Sequence, residues 1–311
     1  MLVNDFVLSP DKYLTPAYRI SPFRTSDIAV NRDLPPSTAI DNYFRERFPG
    51  RSFVYCESGR QAIHLALRAL APATGDVVTV LTTSGNLYVS GCVTREIERF
   101  CHWSRKFESN TRILLVNHEF GFPYEILREL GDRNLPIIED AAHSFASENA
   151  ENSVSRVGQF TIYSFPKFFP VQFGGLLVFD ASFKIEEPLL SASKNFLQKV
   201  LSANIPRVDH ARRKRQENYR YLASRFETMD CLPRFELMDR TAPGVFMFRT
   251  GSDVDLPALK TFAQSHGIES SVFYGEQAFF VPVHERLETA DLDYFFEVVR
   301  SFLNQGACSS V

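Results

Sequence analysis

The stretch Leu135-Pro136-Ile137-Ile138-Glu139-Asp140-Ala141-Ala142-His143 has the form of a short buried strand followed by polar and small residues. Ligands of open α/β sheets bind beyond the carboxyl ends of the strands, which is where Asp140 falls. A carboxylate that enters an apolar crevice needs a partner, because burying it unpaired is costly. The pattern therefore favours a binding role for Asp140. It also permits a structural interpretation, in which Asp140 caps a following helix and His143 is a satisfied core histidine.

Apolar segments alternate with amphipathic segments on both sides of this stretch. Short, nearly continuous apolar strands that alternate with helices are typical of a buried, mostly parallel sheet, so we predict an α/β core. The predicted strands are Phe53–Cys56, Val77–Leu81, Ile113–Val116, Pro136–Glu139, Thr161–Phe165 and Leu176–Phe179. The predicted helices between them are Gln61–Leu70, Tyr88–Phe100 and Tyr124–Gly131.

The segments before and after this core have a different character. The first 48 or so residues are rich in proline and aromatic residues, contain one helix-like stretch near residues 38–48, and are predicted to be an arm that packs on something else. After about Ala181 the pattern predicts helices and strands of a smaller α+β domain: helices at Asp209–Met229, Leu256–His266 and Asp291–Leu303, with Thr289 as an N-cap, and strands at Val245–Arg249 and Ser270–Tyr274. We therefore predict a large domain over residues 1–205, with its arm at 1–50, and a small domain over 206–311.

Composition and charge narrow the class of protein. The 311 residues carry a formal net charge of -3, so no global basic field attracts nucleic acid. Five scattered cysteines form no C-x-x-C pair, which argues against a disulfide framework or a zinc site and fits a reducing compartment. We find neither a signal peptide nor a window apolar enough to span a membrane. These features predict a soluble cytoplasmic protein without nucleic-acid or membrane partners.

Common nucleotide-binding and hydrolase signatures are missing: there is no G-x-x-x-x-G-K-[ST], G-x-G-x-x-G, H-E-x-x-H or G-x-S-x-G. Cys56-Glu57-Ser58-Gly59-Arg60-Gln61-Ala62 instead runs from a strand through a Ser-Gly turn into an apolar helix. A helix N-terminus presents unpaired N–H groups and suits a phosphate, to which Ser58 adds a hydroxyl, Gly59 close approach and Arg60 charge. The alternative is an ordinary strand–helix turn with a capping serine.

A lysine lies among aromatic residues in Tyr163-Ser164-Phe165-Pro166-Lys167-Phe168-Phe169-Pro170-Val171-Gln172-Phe173-Gly174-Gly175. Apolar surroundings lower the pKa of a lysine and make the neutral amine a nucleophile for Schiff-base chemistry. The alternative is a surface lysine whose stem covers apolar side chains while its charge stays in water.

Taken together and in this order, the three motifs resemble the DegT-type family of nucleotide-sugar aminotransferases, within fold type I of the pyridoxal-phosphate enzymes. Further stretches are similar to the family: its phosphate turn and helix at residues 58–67, its second strand at 75–80, its H-x-x-G strand end at 116–121, and a C-terminal segment at 280–284. The resemblance implies an aspartate-aminotransferase-like fold, with a mostly parallel central sheet flanked by helices and a smaller C-terminal α+β domain.

The resemblance also implies the chemistry. Lys167 would carry pyridoxal 5'-phosphate as a Schiff base and move a proton, Asp140 would pair with the ring nitrogen, and His143 would lie near the phenolic oxygen. Ser58, Gly59, Arg60 and Ser164 would hold the phosphate. The implied protein is a homodimer that takes an amino group, typically from glutamate, to a keto sugar on a nucleotide, as in polysaccharide biosynthesis.

The sequence departs from the family pattern in three places. Three residues rather than five lead from Ser164 to Lys167, as in a compact S-[LF]-x-K-x-x-P variant. No aromatic residue directly follows the second strand, where the family stacks one on the cofactor ring, so Tyr88 or Asn86 is the candidate substitute. The stretch from Phe100 to Thr111 replaces a longer segment that normally contributes another strand.

Two alternative functions follow from these departures. One is a different pyridoxal-phosphate reaction such as a dehydration, although family members with that chemistry replace the lysine by histidine and Lys167 counts against it. The other is a degenerate homologue that binds the cofactor or a partner and acts as a regulator or scaffold.

Overall fold

The computed structural model describes residues 16–308, the side chains of residues 16–305, and two further short strands near the N-terminus. These two strands, β1 (Leu2–Val3) and β2 (Phe6–Val7), pair antiparallel. Within this described part, no helix is both long and apolar enough to cross a membrane.

The chain divides into two compact units. The first, here called the sheet unit, contains Phe23–Asp209 and Arg240–Ala242; the second, the C-terminal unit, contains the chain up to Pro22, residues 210–239 and the chain from Pro243 onward. The main division at residue 209 lies close to the predicted one at 205. Residues 16–22 cluster with the C-terminal unit, because Tyr18 donates its N–H to Gly267 O at 2.9 Å and accepts the N–H of Glu269 at 2.8 Å.

The sheet unit is built on one seven-stranded sheet. Its strands are β3 (Arg51–Cys56), β4 (Val77–Thr82), β5 (His102–Ser104), β6 (Thr111–Asn117), β7 (Ile137–Asp140), β8 (Phe160–Ser164) and β9 (Gly175–Asp180). Their spatial order is β3-β9-β8-β7-β6-β4-β5. The pairs from β8 to β5 are parallel, whereas β9 is antiparallel to both of its neighbours. The prediction of a mostly parallel α/β sheet is confirmed.

Helices flank this sheet. They are α1 (Asp27–Asp33), α2 (Ala39–Arg47), α3 (Gly59–Leu70), α4 (Gly91–Ile97), α5 (Leu127–Gly131) and α6 (Ser191–Asn204). Successive residues of β7 pack in two separate apolar clusters: Ile138 with residues of α3, and Ile137 with residues of α5. Because side chains alternate along a strand, Asp140 shares the α3 face with Ile138, whereas Glu139 points to the opposite face.

The proline-rich segment before β3 is an integral part of the sheet unit from Phe23 onward. Asp41 of α2 accepts a hydrogen bond from the Tyr55 hydroxyl at 2.5 Å and another from Gln198 Nε2 at 2.9 Å. Ile40 N–H donates to Ser202 Oγ at 3.0 Å. The predicted helix near 38–48 is confirmed, and this segment packs on β3 and α6 of the same unit.

Two predictions fail in the stretch between β4 and β6. Helix α4 begins at Gly91 rather than at Tyr88, because Ser90 is extended and its hydroxyl accepts the N–H of Cys92 at 3.3 Å. The shortened segment after Phe100 does contribute a strand, since β5 pairs parallel with β4 at the sheet edge.

The C-terminal unit is an α+β structure. Its elements are α7 (Val208–Glu227), β10 (Val245–Arg249), α8 (Leu256–Ser265), β11 (Ser271–Val272), β12 (Ala278–Pro282) and α9 (Thr289–Cys308). The three strands form an antiparallel sheet in the order β10-β12-β11. The predicted strand at 270–274 is shorter in the structure, because the chain turns after β11 and Glu276 N–H donates to Phe273 O at 3.2 Å.

The start of α9 differs from the predicted cap. Thr289 is the first helical residue rather than the N-cap. The side chain that closes this helix start belongs to Asp291, whose carboxylate accepts the N–H of Glu288 at 2.9 Å. An acid in the first turn also interacts favourably with the helix dipole.

Candidate active site

The carboxyl ends of the parallel strands form one edge of the sheet. Asn117 ends β6, Asp140 ends β7, and the two residues are paired in register. Asp140 is in turn paired with Ile162 of β8, two residues before Ser164. Since residues two apart on a strand share a face, Asn117, Asp140 and Ser164 point to the same face of the sheet. This edge is where ligands of open α/β sheets bind.

Asp140 is buried at this edge, and its two carboxylate oxygens each accept a hydrogen bond. Asn117 Nδ2 donates to Oδ2 at 3.0 Å, and the N–H of Ala142 donates to Oδ1 at 3.1 Å. Burial raises the pKa of Asp140, while the Ala142 and Asn117 hydrogen bonds and the charges of His118 and Lys167 lower it. The residues after Asp140 form turns rather than a helix, so the helix-capping interpretation is wrong.

Lys167 lies on a single 3-10 turn, Phe165–Lys167, directly after β8. The N–H groups of Phe168 and Phe169 both donate to Phe165 O, at 3.0 and 2.7 Å. These three phenylalanines are buried and fix the turn, whereas Lys167 is half-buried. Because β7 and β8 are adjacent and parallel, Asp140 at the end of β7 and Lys167 on the turn after β8 lie at the same edge of the sheet. The short spacing from Ser164 is thus accommodated by a 3-10 turn.

His143 lies on the turn that follows Asp140, where Ser144 N–H donates to Ala141 O at 2.9 Å. Its ring contacts the ring of Phe120, with centroids 5.5 Å apart. Phe120 has a left-handed backbone (φ 51°, ψ 28°), which is uncommon for a bulky residue and clusters at functional sites. Sequence reasoning missed Phe120; its place between the histidine and glycine of the H-x-x-G strand end was the available signal.

The predicted phosphate turn lies at the start of α3. Ser58 is its N-cap, and its hydroxyl accepts the N–H of Gln61 at 3.3 Å. The first N–H groups of a helix have no acceptor within the helix, and they carry the positive end of its dipole. A Cβ placed on Gly59 would lie 3.4 Å from Ser164 Cβ, so the Ser-Gly turn and Ser164 are direct neighbours.

Gly175, the first residue of β9, packs directly against this turn. It is paired with Cys56 on one side and with Ser164 on the other. A Cβ at Gly175 would lie 2.7 Å from Tyr163 O and 2.8 Å from the backbone carbon of Ser58. Because these contacts are with backbone atoms, no side chain fits here.

Gly175→Ala should therefore disturb the turn at Ser58. We expect a loss of about 1–3 kcal/mol in the free energy of unfolding, as for other overpacked positions, together with weaker binding of phosphate-containing ligands. Gly75→Ala is the matched control, because a Cβ there meets nothing within 4 Å. Chemical denaturation measures both variants. Equal stability of the two variants would contradict the close approach.

Comparison with known proteins addresses the same part of the chain. Residues 103–187 match the sequence model of the DegT/DnrJ/EryC1/StrS aminotransferase family. This range contains Asp140, His143, Ser164 and Lys167. The predicted resemblance to the DegT-type family is thereby confirmed. The search of curated proteins gave no match.

Solved aminotransferase structures share the fold over nearly the whole chain. The aminotransferase TlmJ from Streptoalloteichus hindustanus is 15% identical, with a TM-score of 0.72 over 93% of this chain and 99% of its own. PseC from Helicobacter pylori, an aminotransferase involved in the biosynthesis of pseudoaminic acid, is 11% identical, with a TM-score of 0.70 over 94% and 100%. The putative sugar aminotransferase Spr1654 from Streptococcus pneumoniae, in its PMP form, is 14% identical, with a TM-score of 0.70 over 95% and 98%. The predicted aspartate-aminotransferase-like fold is confirmed.

Arg60, predicted from the DegT-type turn to hold phosphate, makes a different contact in the structure. Its guanidinium donates to Cys92 Sγ at 3.0 Å, and both side chains are exposed. Arg60 holds the pKa of the Cys92 thiol below its usual range. The arginine is thus engaged by α4, whereas Ser58, Gly59 and Ser164 stay together.

The loop after β4 is where the DegT-type family places its stacking aromatic residue. Asn86 is buried here, and its Oδ1 accepts the N–H of Tyr88 at 3.2 Å. Arg105, which follows β5, donates to the backbone oxygens of Val80 and Asn86 and to Thr82 Oγ1. Asn86 therefore shapes the loop, and Tyr88 lies on it with 41% of its surface exposed. Sequence reasoning missed the clamp formed by Arg105.

A second buried acid lies on the opposite face of the sheet. Glu139 accepts hydrogen bonds from the N–H groups of Ser155 and Gly158, both at 2.6 Å, and of Val157 at 3.2 Å. His118 Nε2 lies 3.3 Å from the same carboxylate. Since Nδ1 of His118 accepts the N–H of Tyr124 at 3.0 Å, the ring proton is assigned to Nε2. Glu139 thus anchors the 155–158 loop and is no part of the predicted site.

Proposed function

We propose that the protein is a pyridoxal-phosphate-dependent aminotransferase that transfers an amino group from glutamate to a keto sugar on a nucleotide carrier. The observation that carries this proposal is the placement of Asp140 and Lys167 at one sheet edge, Asp140 at the end of β7 and Lys167 on the turn after the neighbouring strand β8. The family match over residues 103–187 supports it, because that family is one of aminotransferases.

The residues present fit this cofactor. A buried carboxylate whose pKa is raised by burial gains most from a cationic partner, and a protonated pyridine nitrogen is such a partner. The Ser58 turn opens α3, whose first N–H groups suit a phosphate, and Ser164 is a direct neighbour of this turn. Asp140 would hold the ring nitrogen, His143 the phenolic oxygen, Ser58, Gly59 and Ser164 the phosphate, and Lys167 the reactive carbon.

Each residue then has a definite task. When bound, pyridoxal phosphate supplies an electron sink for negative charge at the α carbon of the amino donor. Lys167 moves the proton at that α carbon, and its 3-10 turn of buried phenylalanines limits where the amine reaches. Two hydrogen bonds, from Asn117 and from the Ala142 N–H, fix the orientation of the Asp140 carboxylate, which would hold the cationic nitrogen of the cofactor.

We also infer a cytoplasmic homodimer with a role in polysaccharide biosynthesis. Leu87 and Tyr88 are consecutive and 71% and 41% exposed in the loop that carries Asn86, and such neighbouring exposed apolar side chains suit coverage by a second copy. The four described cysteines are free, which suits a reducing compartment.

The test uses purified protein that is incubated with pyridoxal phosphate and desalted. We expect a visible absorbance band that glutamate bleaches with release of 2-oxoglutarate, and a nucleotide-linked keto sugar should then restore it. A protein without the band would contradict the proposal.

The loop around Tyr88 favours a second candidate, because it carries no buried aromatic residue. A cofactor-binding protein without turnover would show the visible band, but glutamate would not bleach it.

A further inference from the structure

The Asp140 carboxylate is held by a side chain that sequence reasoning did not assign. Asn117, the last residue of β6, is paired in register with Asp140 and donates Nδ2 to its Oδ2 at 3.0 Å. The amide nitrogen is the assigned donor because a carboxylate only accepts. The N–H of Ala142 fixes the other oxygen at 3.1 Å. One donor on each oxygen defines the plane of the carboxylate.

The neighbouring backbone makes this arrangement rigid. His118, the next residue after Asn117, donates its N–H to the backbone oxygen of Asp140 at 3.0 Å. The two strand ends are therefore joined by a main-chain and a side-chain hydrogen bond at successive residues. Hydrogen bonds to an ionised acceptor are roughly twice as strong as neutral ones, so the Asn117 contact is a substantial part of what orients the acid.

We propose that Asn117 is a positioning residue that orients the Asp140 carboxylate toward a cationic ring nitrogen. This inference rests on the proposed function, since it needs a pyridinium partner for Asp140. Asn117 acts through Asp140 and is assigned no contact with the amino donor or with the keto sugar.

The Asn117 hydrogen bond also affects the pH range over which Asp140 stays ionised. The groups that act on Asp140 are His118 at the end of β6, Lys167 on the turn after β8, the Ala142 amide on its own turn, and Asn117. Burial raises the pKa of Asp140, and the Asn117 hydrogen bond lowers it. Without Asn117 the pKa of Asp140 rises further. When the solution is acidified, the carboxylate is then protonated at a higher pH than in the wild type, and cofactor binding is lost at that higher pH.

The test compares pyridoxal-phosphate binding to wild type, Asn117→Leu and Thr79→Val over a range of pH, followed by the visible band. Thr79→Val is the matched control: it removes the buried 2.9 Å hydrogen bond between Thr79 and Thr111, at the other end of β6, and leaves Asp140 untouched. For Asn117→Leu we expect a Kd about tenfold higher near neutral pH, and an acid midpoint of binding about one pH unit higher, as the loss of one charge-assisted bond implies.

The outcomes separate this inference from the proposed function. Thr79→Val should lose thermal stability and keep the wild-type pH profile. A wild type that binds and an Asn117→Leu variant with the same Kd and midpoint would overturn the inference alone. A shift of equal size in Thr79→Val would also overturn it, since general destabilisation would then be the cause. Absence of binding in the wild type would overturn the proposed function and this inference with it.

Discussion

Lys167→Ala protein should show no visible band after incubation with pyridoxal phosphate, and amino transfer should fall by at least about 10³-fold, the range of a lost proton-transfer group. The reason is positional as well as chemical. The 3-10 turn places this amine at the sheet edge, where its charge acts on Asp140. Absorbance spectra and 2-oxoglutarate release measure the two effects separately.

Two control variants sharpen this test. Lys184→Ala removes an exposed lysine of the same unit and should keep both the band and turnover. Lys167→Arg keeps a positive charge near Asp140 but cannot supply a neutral amine, so it should behave like the alanine variant in both measurements. Normal turnover in Lys167→Arg would mean that the residue contributes only its charge, and the assignment of the nucleophile would then be wrong.

Glu139→Ala should lower the free energy of unfolding by about 3–5 kcal/mol, as expected when several buried N–H groups lose their shared charged acceptor. The carboxylate accepts three backbone N–H groups from the 155–158 loop and contacts His118, and none of its surface is exposed. Alanine would leave these buried donors without their acceptor, which is more costly than the loss of the bonds alone. Denaturant unfolding followed by circular dichroism measures the change.

Glu148→Ala is the matched control for this prediction. Glu148 pairs with Arg156 at 3.0 Å, and both side chains are partly exposed. Partly exposed ion pairs contribute only about 0–1 kcal/mol, so this variant should unfold almost like the wild type. Similar losses in the two variants would show that the buried network around Glu139 is not a major source of stability.

The sequence was informative where local pattern and chemistry coincide. Asp140 was predicted because ligands of open α/β sheets bind beyond the carboxyl ends of the strands, and Lys167 because apolar neighbours make a lysine amine nucleophilic. The Ser58–Gly59 turn was predicted because a strand, a Ser-Gly pair and an apolar helix are consecutive in the chain. In the structure Asp140 and Lys167 lie at one edge, as do Ser58 and Ser164.

Contacts between residues that are distant in the chain could not be predicted from the sequence. Nothing near Glu139 in the sequence indicates that its carboxylate oxygens accept N–H groups of the 155–158 loop. Likewise, nothing near Arg60 indicates that its guanidinium donates to Cys92. The clamp of Arg105 on the loop at Asn86 depends on β5, a strand of three residues that is too short for periodicity to indicate. When a side chain is long enough to reach several partners, tertiary packing determines which of them it contacts.

The position of the antiparallel strand β9 in the sheet determines when the site forms during folding. It lies between β3 and β8, so the phosphate turn after β3 meets Ser164 and Gly175 only when strands more than one hundred residues apart in the chain have paired. Such non-local pairings carry a large loop-closure entropy and form slowly. During synthesis β3 is made long before its neighbour exists. The proposed cofactor site is therefore complete only with the last strand of the sheet, and a cofactor that binds only the finished sheet would stabilise the complete fold over any partial one.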